Sequence, residues 1–161
     1  MKIVLVRVDG RLIHGQVTTG FARRTGANLI LVANDEVAQD KGQQSIMKLA
    51  APSGVKIEIL SLQEALQGLA QRRWPNAKIL MLLRSPVDLL RLVEMGLTVQ
   101  KVNVGGVNNA GATIKITNEV YATPEELEAW KKLDEMGVDM SVQWEISTNP
   151  TNLNKALRKH K

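Results

Sequence analysis

Four residues suited to chemistry lie close together near the start of this sequence: Arg7, Asp9, Arg11 and His14, in the run RVDGRLIHGQ that ends with Gly15 and Gln16. A neutral imidazole attacks phosphorus without prior ionisation, and the phosphoramidate it forms passes the group on readily. Arg11 offers a planar fork for two phosphoryl oxygens. Gly15 and Gln16 open a plausible helix whose first amides favour an anion, and Gly15 has no Cβ to obstruct the approach. The spacing therefore points to His14 as a phosphoryl-carrying nucleophile, with Arg11, Gly15, Gln16 and Arg7 as phosphate ligands. Asp9 is expected to accept from the non-reacting ring N–H and fix the tautomer, as a carboxylate does in hydrolase triads.

Each residue also has a plainer reading. A lone loop histidine can be structural, and Arg7, at the end of an apolar strand, serves equally as a structural ion-pair former. Asn34 and Ser85 read first as helix caps. Gly105 and Gly106 read as turn residues, since no GxGxxG or Walker pattern surrounds them. The tail Arg158, Lys159, His160 and Lys161 reads as a solvated helix end.

The elements that must position these residues follow from periodicity. Short β-branched runs, IVLVRV from Ile3, LILVA from Leu29, VKIEIL from Val55, KILMLL from Lys78 and VNV from Val102, alternate with amphipathic segments of helical length. This is the pattern of βα units in an open, twisted, mostly parallel α/β sheet. Helix starts are marked by Ser61 with Glu64, Ser85 with Pro86 and Asp88, and Thr123 with Pro124 and Glu126, while Gly96 and Gly137 mark two ends. The turn-rich stretch from Gly105 to Gly111 leads into ATIKITNEVYA, expected as an added edge strand. DMSVQWEI from Asp139 is expected as a further strand, and a basic helix from about Pro150 closes the chain. In such a sheet ligands sit beyond the carboxyl ends of the strands, so the candidate site loops are Asp9 to Gln16, Asn34 to Glu36 with Asp35, Arg84 to Ser85, and Gly105 to Asn109.

Composition narrows the function classes. At 161 residues and 44% hydrophobic the chain is expected to form one domain, residues 1–161, with a substantial core. No apolar run approaches the roughly 20 residues of a membrane helix, and Met1 leads directly into a strand pattern, so a cytoplasmic chain with no membrane span of its own is expected. Without cysteine there is no thiolate chemistry, and two separated histidines make a poor metal site, so neither metal nor cofactor is expected. The 21 basic against 16 acidic residues give +5, leaning toward the first 26 residues, which suits phosphate, an acidic protein partner, nucleic acid or an anionic surface. Five aromatic residues are a thin platform for stacking bases.

The run from Arg7 to Val17, RVDGRLIHGQV, resembles the signature of the enzyme IIB component of the mannose, fructose and sorbose class of bacterial sugar phosphotransferase systems. The resemblance continues through VANDEVAQD, AAPSGVK, SPVDLLRLVEMG and VNVGGV, nearly the whole chain. It implies a sheet of about seven strands with helices on both faces and a protein-N(pi)-phosphohistidine–sugar phosphotransferase. His14 would take a phosphoryl group from phosphorylated IIA and pass it to sugar arriving through the membrane components IIC and IID, with which the chain associates peripherally. The resemblance also implies that Arg11 stabilises the phosphoryl group, and it favours Nδ1 as the carrying nitrogen. Gly10 stands where many relatives carry a second acidic residue, which removes any paired carboxylate beside the histidine. Two other functions fit the residues: a regulatory phospho-acceptor serving a transcription regulator, and a basic nucleic-acid-binding module.

Overall fold

Alternate residues of LILVA and KILMLL face opposite sides of a sheet, and both sets are buried. Leu29, Leu31, Ile79, Met81 and Leu83 enter one core, and Ile30, Val32, Leu80 and Leu82 the other. Continuous apolar runs of this kind are what a parallel sheet covered on both faces requires. The computed structural model describes residues 1–160; Lys161, read above with the basic tail, lies outside the described residues.

The elements in chain order are β1 (Lys2–Val8), α1 (Gly15–Thr25), β2 (Leu29–Ala33), a 3₁₀ turn (Val37–Gln39), α2 (Lys41–Leu49), β3 (Lys56–Leu60), α3 (Leu62–Ala70), β4 (Lys78–Leu83), α4 (Pro86–Glu94) and β5 (Lys101–Val104). There follow β6 (Ile114–Lys115), β7 (Tyr121–Ala122), α5 (Pro124–Glu135), β8 (Asp139–Val142), β9 (Thr151–Asn152) and α6 (Leu153–Leu157). Seven strands form one sheet in the order β3-β2-β4-β1-β5-β8-β9, parallel except for β9 against β8. Residues of α3, α4, α5 and α6 cover one face, and those of α1 and α2 the other. The crossover from β1 to β2 passes β4, and that from β4 to β5 passes β1 in the opposite sense, so the order reverses at the carboxyl ends of β4 and β1. The loop carrying His14 leaves the sheet at that reversal, where an open α/β sheet leaves a crevice.

The signposted helix starts form as read. Ser61, Ser85 and Thr123 each accept from the backbone N–H three residues on, and Thr123 with Glu126 completes a reciprocal capping box. Gly96 and Gly137 follow the ends of α4 and α5.

Three expectations are corrected. ATIKITNEVYA does not extend the sheet; it folds into the separate antiparallel pair β6-β7, because the edge of β5 is already taken by β8. Ile116, Val120 and Ala122 still bury themselves in the larger core. DMSVQWEI is a strand only to Val142, since the Gln143 and Trp144 carbonyls turn inward to accept from Arg7 and no longer face a neighbouring strand. The last helix begins at Leu153, after β9 has paired with Ser141 and Val142, and Asn152 caps it.

Replacing Thr123 by Ala removes the capping box without touching the His14 loop. It is expected to cost about 1 kcal/mol of stability, seen as a lower urea midpoint at unchanged slope.

Candidate functional site

The carboxylate of Asp9, immediately past β1 and 1% exposed, organises the loop. Its Oδ1 accepts from the Arg11 backbone N–H at 3.0 Å and from Arg11 Nε at 2.9 Å, and its Oδ2 accepts from Arg7 Nη2 at 3.0 Å and Arg11 Nη2 at 2.6 Å. Four bonds fill the acceptor positions that a carboxylate offers. This corrects the expected role of Asp9: it has no lone pair left for the His14 ring, and it orients the two arginines instead.

Arg7 is likewise corrected from phosphate ligand to structural cation. At 2% exposure it donates from Nη1 to Asn103 Oδ1 and the Gln143 carbonyl, and from Nη2 to Asp9 and the Trp144 carbonyl. Its guanidinium lies 4.2 Å from the centroid of Phe21. Burial pushes its pKa down, opposed by the charge of Asp9. Gly105 is glycine because a Cβ there would fall on the Arg7 and Asp9 side chains. A Cβ at Gly10 would likewise meet Asn109 Oδ1 at 2.9 Å.

Arg11 is held differently. One edge of its guanidinium, Nε and Nη2, lies on Asp9, while Nη1 meets no acceptor among the described residues. Its side chain is partly exposed, and its guanidinium stacks over the ring of Trp144 at 4.0 Å. The free edge is a fork for an anion.

His14 is exposed and stands at the N-cap of α1. Its backbone N–H donates to Thr18 Oγ1 at 2.8 Å, and its carbonyl accepts from Val17 N at 3.0 Å, so the main chain is fixed while the imidazole meets no partner among the described residues. The N–H groups of Gly15 and Gln16 meet no acceptor there either, as expected of a first helical turn. Gly15 has φ of 41°, a left-handed conformation that brings the helix out of the loop and that a Cβ would strain. Three residues earlier, Leu12 holds φ of 56° although it is not glycine, and its side chain, 1% exposed, is seated in the core beneath α1. That anchor keeps the loop in shape.

Of the other predicted loops, Gly105 to Asn109 packs against Arg7, Asp9 and Gly10, whereas Asn34 to Glu36 and Arg84 to Ser85 share no cavity with His14. Asn34 accepts from Val37 N, Asp35 from Leu62 N, and Ser85 from Asp88 N, so the first and last are caps. Together they line a separate cavity of about 400 Å³ with Arg84, Asp88 and Arg91. There burial raises the Asp88 carboxyl to about 6, against the opposing pull of Arg91. The basic lean of the first 26 residues also does not gather at His14. Arg7 and Arg11 are shared with Asp9, and Arg23 and Arg24 sit in the last turn of α1, roughly 15 Å along the helix by its rise per residue.

Residue types and spacing did not single out Thr18, Leu12 or Trp144 as parts of the site. Thr18 had a detectable signal, four residues after His14 on the predicted helix. The position of Trp144 depends on the strand ending at Val142, for which periodicity gave no sign.

The chain matches the family model described as PTS system sorbose subfamily IIB component over residues 3–161. It is 38% identical over 149 residues to the N-acetylgalactosamine-specific phosphotransferase enzyme IIB component 2 of Escherichia coli (strain K12), covering 92% of this chain and 94% of that one. It is 33% identical over 150 residues to the mannose-specific EIIAB component of the same strain, where it spans 93% of its own length and about half, 46%, of the relative. The crystal structure of the IIBSor domain of the sorbose permease from Klebsiella pneumoniae superposes with a TM-score of 0.92 at 30% identity, covering 100% of this chain and 99% of that one.

Replacing Arg7 by Met leaves the Asn103, Gln143 and Trp144 acceptors unmatched and is expected to cost about 3 kcal/mol, measured by denaturant unfolding. A phosphate ligand would instead lose transfer with stability intact. Because the folded pKa of Asp88 lies above its unfolded value, its contribution is fully present below about pH 4 and is lost as pH rises through about 6. Asp88→Asn is expected to remove that fall, on the order of 1 kcal/mol after solvent screening, in unfolding curves recorded between these two values.

Proposed function

The chain belongs to the sorbose-subfamily IIB components of the phosphotransferase system, and from that premise we propose that His14 is the residue through which it accepts a phosphoryl group from IIA and passes it toward sugar. The observation that carries this reading is the exposed, unpartnered His14 ring at the N-terminus of α1, followed by the open amides of Gly15 and Gln16, in the same loop as an Arg11 guanidinium with one unpaired edge. A IIB component is a phosphotransferase that works with a IIA protein, a membrane IIC component and sugar; IID as the second membrane component and phosphohistidine as the form of the donor belong to this proposal.

The chemistry follows from those groups. A ring nitrogen of His14 attacks the phosphorus of phospho-IIA, the new N–P bond forms as the donor's N–P bond breaks, and the donor imidazole leaves with the electron pair. In the second half the sugar hydroxyl attacks, the His14 N–P bond breaks, and the hydroxyl proton is released. The transition state is loose and in line, so catalysis rests on position and on charge placed at the equatorial oxygens. Arg11 supplies the charge, and the amides of Gly15 and Gln16 supply donors at a helix N-terminus. The family resemblance favours Nδ1 as the carrier. No helix among the described residues is long and apolar enough to cross a membrane, which fits a component that meets its membrane partners peripherally from the cytoplasmic side.

Intact-protein mass spectrometry at mildly alkaline pH tests the reading directly, after incubation with phosphoenolpyruvate, the general phosphotransferase proteins and a IIA component. One acid-labile phosphoryl adduct is expected on the wild type and none on His14→Ala; no adduct on either, with IIA phosphorylated, removes His14 from the mechanism. Arg11→Ala is expected to slow transfer by about 10²-fold, and full IIA-to-IIB transfer is expected to persist in excess chelator, since Arg11 and the amides provide the charge. Arg7 and Arg11 against Asp9 leave one net positive charge at the loop, so the on-rate should respond only weakly to salt.

A further inference from the structure

We propose that Trp144 is a positioning residue for phosphoryl transfer, an aromatic stop that holds the Arg11 guanidinium flat against Asp9 so that its unpaired edge stays presented; this rests on the assignment of His14 as the carrier.

Two bonds along one edge fix a guanidinium within its own plane but leave it free to hinge about that edge. Asp9 holds Arg11 in this way through Nε at 2.9 Å and Nη2 at 2.6 Å. Something must cover a face of the fork, and Trp144 does so at 4.0 Å from ring centroid to guanidinium carbon, within the range of attraction between a cation and a π-face. The ring is itself fixed although it is 42% exposed. Its carbonyl accepts from buried Arg7 at 2.9 Å, which anchors the main chain. Its six-membered edge lies on the backbone of Gly106, where an added Cβ would come within 2.6 Å of Cζ3. The indole is therefore set between a glycine backbone and the guanidinium. A cavity of about 330 Å³ opens beside the pair, lined by Gly10, Arg11, Gly106, Asn108, Tyr121 and Trp144 among others. Without the ring, the guanidinium has room there to swing away from the His14 loop. The same ring sheds water from one face of a partly exposed cation while leaving its Nη1 edge unpaired, which is the arrangement a developing phosphoryl charge needs. One buried array thus serves both arginines: Asp9 binds each of them, and Arg7 holds the backbone that places the ring over Arg11.

The test is a double-mutant cycle in the full chain, reading the rate of phosphoryl transfer from a phosphorylated IIA component. Trp144→Leu is expected to slow transfer about tenfold in the wild-type background, equivalent to about 1.4 kcal/mol in the barrier, and to change nothing further in an Arg11→Ala background. Trp144→Phe keeps an aromatic face and is expected to restore the rate to within about threefold. In the unphosphorylated proteins, solvent exchange of the Arg11 Nε–H by NMR is expected to quicken in Trp144→Leu and to stay slow in Trp144→Phe, at matched unfolding midpoints. Equal damage by Trp144→Leu in both backgrounds, no damage in either, or an unchanged Nε–H exchange overturns the clamp alone. A wild type that takes up no phosphoryl group while IIA is phosphorylated overturns the His14 assignment and the clamp with it.

Discussion

The structure around this site depends on one buried carboxylate. Asp9 sits just beyond the carboxyl end of a central strand, out of water, and each of its four acceptor positions is taken by an arginine side chain or the Arg11 backbone N–H. A buried anion is tolerated only when paired and hydrogen-bonded in this way. Satisfying it fixes Arg7 against Phe21 and the β8 exit, turns the loop back at Arg11, and requires Gly105 to bring its backbone close. The sheet supplies the place, since β1 and β4 end where the strand order reverses, but Asp9 supplies the shape.

That division explains what could be read from the residues alone. The doubly covered sheet is written in runs such as KILMLL, whose apolar character on both faces admits few alternatives, and the helix starts are written in Ser85-Pro86 and Thr123-Pro124. His14 and Arg11 stood out because an imidazole and a guanidinium three residues apart before a glycine have a clear joint chemistry. Asp9 stood out as a residue but with a different task, and of the two tasks open to Arg7, phosphate ligand and structural ion-pair former, the structure shows the second. Spacing places Asp9 within reach of either Arg11 or His14, and only the burial of the carboxylate and the number of N–H groups around it decide between them. Trp144 illustrates a longer-range loss. Its place over Arg11 comes from a strand that stops at Val142, two residues before it, where Arg7, some 137 residues from Trp144 in sequence, draws the carbonyls of Gln143 and Trp144 inward.

The loop that carries His14 is held in shape from below. Leu12 occupies a left-handed conformation that costs a non-glycine residue on the order of 1–3 kcal/mol, and it persists because its side chain is seated beside Val17, Phe21 and Val37 in the core under α1. The cost is met by burial, which contributes roughly 1.5–3 kcal/mol for a side chain of this size. Thr18, one turn into the helix, holds the His14 N–H at the same time. The imidazole thus carries no hydrogen bond among the described residues while its main chain is held, which suits the role proposed for it of meeting one partner to receive and another to deliver.

A carrier of the kind proposed for His14 is constrained at both ends, and the charge arrangement suits this. An interaction that binds the carried phosphoryl group and the transition state equally well deepens the intermediate without speeding its departure. Two free arginines at His14 would do that. Instead Arg7 is withdrawn into the interior and neutralised, and Arg11 gives one edge to Asp9, so the loop keeps a single net positive charge and one unpaired guanidinium edge. Fixed dipoles from Gly15 and Gln16 add stabilisation that needs no rearrangement when the group arrives or leaves. The buried carboxylate therefore does more than fold the loop: by taking most of the available cation for itself, it limits the positive charge left to hold a phosphoryl group in the proposed transfer.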